Sequence, residues 1–86
     1  MPKVKKILLV EDNEINARLI KDFLIFKGYD VVNVHSGREA FTAAQREKPN
    51  LILMDIQLFG ISGVEAAEQI KADKELSAIP ILAISA

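Results

Sequence analysis

The chain has 86 residues, room for one small domain and not for two. It is 50% hydrophobic and 27% charged, a globular balance that excludes an intrinsically disordered chain. With 11 Lys and Arg against 12 Asp and Glu the net charge is −1, which excludes an electrostatic binder of nucleic acid or membrane surfaces, and the absence of Cys excludes a disulfide framework and a thiolate metal site.

The opening MPKVKKILLV is basic and then apolar, as a signal peptide is. Its apolar run breaks at Glu11, too short for an h-region, and no stretch is long enough to cross a bilayer. The expectation is a cytoplasmic protein. Ile7–Val10 is a short apolar run without alternation, as in a strand buried on both faces of a parallel sheet. Asn13 is placed to cap a helix reaching about Lys27, with Ile15, Leu19, Ile20, Phe23, Leu24 and Phe26 as its apolar stripe. Phe23, Phe26 and Phe41 read as core. Gly28 is placed to end that helix in the left-handed conformation.

Val31–Val34 reads as a second strand, and His35 after it as a solvated loop residue. Ser36 with Glu39 forms a capping box for a helix carrying Ala40, Phe41, Ala43 and Ala44, closed by Pro49. Leu51–Met54 is the third strand. Ser62 with Glu65 is a second capping box, for a helix to about Asp73. Ile81–Ile84, entered through Pro80, is the fourth strand. The order β-α-β-α-β-α-β implies one α/β domain over residues 1–86, a parallel sheet with right-handed crossovers and helices on both faces.

Ligands of such sheets bind beyond the carboxyl ends of the strands, at the switch in strand order. Glu11 and Asp12 follow the first strand, Asp55 the third and Ser85 the fourth. If the first and third strands are neighbours, three carboxylates converge. Left alone they repel, and one proton is held more tightly. They make a cradle for a hard divalent cation such as Mg²⁺, which takes oxygen ligands and keeps waters or a phosphate oxygen. The single His lies elsewhere, against zinc or a His-based acid–base site. There is no G-x-G-x-x-G after the first strand and no P-loop, against nucleotide binding.

Together, Glu11-Asp12 after ILLV, Asp55 ending LILM, the D-x4-G-x-S-G layout from Asp55 to Gly63, and AIPILAISA resemble the receiver domain of two-component response regulators, of the CheY-like and DivK-like kind. The resemblance covers the whole chain. It implies a flavodoxin-like parallel sheet in the order 2-1-3-4, a family fold completed by a fifth strand. It also implies Asp55 as phosphoacceptor, Mg²⁺ held by Glu11, Asp12, Asp55 and the backbone carbonyl of Gln57, Ser85 as switch hydroxyl, and Ala86 as the small residue leaving room for the phosphoryl group. The implied partner is a histidine kinase or a histidine phosphotransfer protein, and the implied role is a signalling switch rather than an enzyme.

Two departures stand out. Phe59 occupies a place where the family has Pro, and so loosens the loop after the third strand. The sequence stops at Ala86, without the family's fourth helix, fifth strand, fifth helix and phosphoryl-neutralising Lys. The fourth strand is then expected to be an open edge, with self-association through it. Two other functions compete: an assembly module without phosphotransfer, and an aspartyl-phosphate phosphohydrolase. The second is the weaker, since Gln57 stands where such an enzyme needs an acid–base Asp.

Overall fold

The computed structural model describes residues 4–55 and 63–84. Seven elements follow in the order β1 (Lys6–Val10), α1 (Glu14–Phe26), β2 (Asp30–Val34), α2 (Gly37–Glu47), β3 (Leu51–Asp55), α3 (Gly63–Ala72) and β4 (Ile81–Ile84). The sheet order is β2-β1-β3-β4, with every pairing parallel. This is the expected doubly wound arrangement, and β1 and β3 are neighbours. Gln57, Phe59, Ser62, Ser85 and Ala86, each given a role above, lie outside the described residues.

The strands are buried on both faces, which is why they read as unbroken apolar runs. Leu8, Val10, Ile52 and Met54 point to the α2 and α3 side, where they meet Ala40, Ala43, Ala44, Ala66, Ile70 and Leu76. Three alanines on α2 let that helix approach the sheet closely. Ile7, Leu9, Val31 and Leu53 point to the other side and meet Ala17, Ile20 and Leu24 of α1.

The helix ends use the expected chemistry. Asn13 Oδ1 accepts the Asn16 N–H at 2.9 Å, and Ser36 Oγ accepts the Glu39 N–H while Glu39 Oε2 accepts the His35 N–H. Gly28 has φ +97°, the left-handed conformation that its lack of a side chain permits. Lys48 closes α2 at φ 45°. Its ammonium pairs with Glu75, tying the end of α2 to the loop after α3.

The apolar stripe predicted for α1 is only partly right. Ile20 and Leu24 pack on the sheet, but Ile15, Leu19, Phe23 and Phe26 are exposed. Phe23 and Phe26 are therefore not core; Phe41 does pack against the α2–α3 cluster. The helix is apolar around most of its circumference, and one face can touch one sheet. β3 also runs one residue further than predicted, so Asp55 belongs to the strand.

Candidate functional site

β1 and β3 run side by side, with Val10 opposite Met54 as their last paired row. The next residues on the two chains are Glu11 and Asp55. The backbone carries on in register past β1, since the Glu11 N–H donates to the Val34 carbonyl of β2 at 3.0 Å. Glu11 is thus held inside the sheet edge, fully buried, and Asp55 is 5% exposed. Asp12, half-buried, starts the turn into α1. Carboxylate oxygens of Glu11, Asp12 and Asp55 all lie within 4.8 Å of one another.

The convergence expected from the sequence is therefore present for these three residues. Gln57 and Ser85 lie outside the described residues. A contribution the sequence reading missed is that of Asn13. Besides capping α1, its backbone N–H donates to Glu11 Oε1 at 3.1 Å and orients that carboxylate. Glu11 Oε2 is buried with no hydrogen-bond partner.

Burial pushes the Glu11 carboxyl above its ordinary range. The Asn13 N–H draws it back in part, and the neighbouring Asp55 and Asp12 carboxylates push it further up. The donor set consists of hard oxygens, with an orphaned buried carboxylate oxygen among them. That chemistry fits a small divalent cation such as Mg²⁺ and does not suit zinc. His35 is exposed and takes no part in the cluster.

A parallel, doubly wound sheet in the order 2-1-3-4, with an acidic cluster at its switch point, defines a flavodoxin-like α/β domain whose candidate site lies at the carboxyl ends of its strands. Residues 7–86 match the response regulator receiver domain, and the chain belongs to that family.

Its relatives include the polar-differentiation response regulator DivK of Brucella ovis, 44% identical over 82 residues that cover 95% of this chain and 67% of the relative. The fold is similar to the receiver domain of the sensor histidine kinase PA1611 from Pseudomonas aeruginosa PAO1, solved with a magnesium ion coordinated in its active site cleft. The TM-score is 0.90 and the identity 37%, over 94% of this chain and 66% of that one. It is also similar to the phosphorylated cyanobacterial phytochrome response regulator RcpA, with TM-score 0.85 and 38% identity over 96% of this chain and 66% of that one. The chain spans about two thirds of the length of these relatives.

Proposed function

We propose that the chain is a phosphoacceptor of a cytoplasmic two-component relay, with Asp55 taking a phosphoryl group from the phosphohistidine of a histidine kinase or phosphotransfer protein. The observation that carries this reading is the cluster of Glu11, Asp12 and Asp55 at the carboxyl ends of two adjacent parallel strands. An Asp55 oxygen attacks phosphorus in line. The new O–P bond forms as the donor's N–P bond breaks, and the electron pair stays on the imidazole nitrogen, which takes a proton from water. Catalysis of this kind needs positioning and charge neutralisation rather than an acid–base pair.

Glu11, Asp12, Asp55 and the Gln57 carbonyl would hold Mg²⁺, which when bound supplies positive charge against carboxylate and phosphoryl repulsion. Asn13 keeps Glu11 aimed at the cluster through its N–H. Ser85 is assigned the hydroxyl that bonds the transferred group, and Ala86 the space beside it. The phosphoryl group adds about −1.5 to −2 charge at this edge, enough to bias a two-state loop.

The test is incubation with Mg²⁺ and acetyl phosphate, followed by intact mass. A phosphoryl adduct lost in Asp55→Asn supports the reading. A folded chain that gains no adduct retires it.

A second reading, an assembly module without phosphotransfer, is favoured by β4. That strand pairs only with β3 among the described residues, and its Leu82 is 56% exposed. Exposed apolar surface on this strand supports association of the chain with itself through it. An absent adduct together with a concentration-dependent mass selects this reading.

A further inference from the structure

β2 reads DVVNV, and its fourth residue is out of keeping with the rest. Asn33 alternates onto the same sheet face as Val31, the face that α1 covers, where Val31 is buried with Ile7, Leu9 and Ala17. Asn is disfavoured in strands, and an apolar residue at this place would pack against the helix. A local rule broken inside an otherwise consistent strand points to a site that the residue serves.

The Asn33 amide donates twice. Its Nδ2 reaches the Leu9 carbonyl of β1 at 3.0 Å and the Val34 carbonyl of its own strand at 3.1 Å. Neither carbonyl is orphaned without it. Val34 O already accepts the Glu11 N–H at 3.0 Å, and the parallel register gives Leu9 O the Val34 N–H. Each oxygen has a second lone pair, and Asn33 takes both of these. The amide is therefore a brace across the last rung of the β1–β2 ladder.

That rung leads directly into the acidic cluster. β2 is the outer strand, paired with β1 alone among the described residues, and an order of 2-1-3-4-5 keeps it outermost when a fifth strand is present. The end of an outer strand is where a ladder opens most readily. Opening here frees the backbone of Glu11, whose buried carboxylate lies beside Asp12 and Asp55. A short relay thus runs from Asn33 Nδ2 to Val34 O and on to the Glu11 N–H. At its far end the Asn13 N–H holds Glu11 Oε1 at 3.1 Å.

We propose that Asn33 is a positioning residue for the divalent cation site, acting through the backbone of Glu11. The inference rests on the cation-dependent phosphoacceptor reading and adds a residue to it. Asn33 is not one of the three clustered carboxylates and supplies no ligand; it sets where one of them stands. Residues that support metal ligands in this way change affinity about 10–100-fold when removed.

The test uses Asn33→Val, with Asn33→Ile as a second variant, in the 86-residue chain. Both side chains suit a strand better than Asn and leave the two carbonyls with a backbone donor each. The melting temperature without Mg²⁺ is therefore expected to hold or rise, while Mg²⁺ titrated by calorimetry binds about tenfold more weakly. Amide hydrogen exchange without metal is expected to quicken about tenfold at Glu11 and to stay unchanged along the β1–β3 ladder. Native Mg²⁺ affinity in both variants overturns the proposal and leaves the phosphoacceptor reading in place. A joint fall of melting temperature, Mg²⁺ affinity and exchange protection across the whole sheet also overturns it, since Asn33 is then a strut of the fold alone. A native chain that takes up no Mg²⁺ overturns the cation reading itself, a failure seen before any variant is made.

Discussion

The backbone N–H of Asn13 donates to Glu11 Oε1 at 3.1 Å and fixes a fully buried carboxylate beside Asp55. One oxygen is satisfied and the other is not. Desolvation and like charge therefore act against the fold at this point, and relief has to come from a proton or a cation.

Glu11→Gln keeps an acceptor for the Asn13 N–H and removes one negative charge from the cluster. It is expected to stabilise the Mg²⁺-free protein by about 1 kcal/mol, a rise of roughly 4–8 °C in a domain this size. The same change weakens Mg²⁺ binding by about tenfold or more, at a cost of about 1.4 kcal/mol per tenfold. Thermal melts with and without Mg²⁺ read both effects. A variant that melts lower without Mg²⁺ contradicts the account of strain at Glu11.

Glu47 gives the opposite sign. Arg46 donates to its Oε2 at 3.0 Å and Lys6 to its Oε1 at 3.0 Å, holding its carboxyl below the ordinary value of 4.5. The unfolded chain takes up this proton before the folded one does. The contribution is complete above about pH 4.5 and fades as the pH falls through the lowered folded value. Glu47→Gln is expected to flatten the acid limb of a stability–pH curve measured by denaturant titration. An unchanged limb argues against the paired geometry.

Gly28→Ala isolates a backbone cost. No atom lies within 4 Å of the Cβ it would add, so space is not at issue. The φ of +97° is, and the loss is expected to be about 1–2 kcal/mol. Gly28→Asn should lose less, because Asn tolerates positive φ better. Equal losses for the two variants point to some other cause.

Two positions on α3 separate buried from exposed apolar groups. Ile70 is 0% exposed among Leu8, Ile52 and Leu76, whereas Val64 is 59% exposed on the open apolar cleft beside β4. Ile70→Ala is expected to cost about 2–5 kcal/mol, and Val64→Ala to stay within about 0.5 kcal/mol. Urea denaturation midpoints give the comparison. Similar losses at both positions mean that the cleft is covered in solution.

Much of this was legible beforehand because local signals agreed. Unbroken runs such as ILLV and LILM can only be buried strands between helices, and alternation then dictates a parallel sheet. Caps at Asn13 and Ser36 and the stop at Gly28 marked helix ends within a residue or so. The convergence of Glu11, Asp12 and Asp55 followed from topology alone. What failed was the face of α1. In EINARLIKDFLIF apolar residues surround most of the helix, so spacing could not choose between the side holding Ala17 and the side holding Phe26. The small residue decided it, since Ala17 lets the helix sit close to the sheet. Asn13's bond to Glu11 escaped for another reason, because a backbone N–H carries no sequence signature.

The central place of β1 bears on how the chain acquires its fold. Lys6 pairs with Asp30, Ile7 with Leu51, and Ile52 with Ile81, so no two consecutive strands are joined by a tight hairpin. Each ladder must close a long loop before its first bond forms, which slows the search for the native pairing. On the ribosome, β1 emerges before both of its neighbours, and its four most apolar residues have no strand partner until β2 and then β3 have been made. The demand for chaperones and the risk of aggregation are therefore greatest in the interval before β3 has been made.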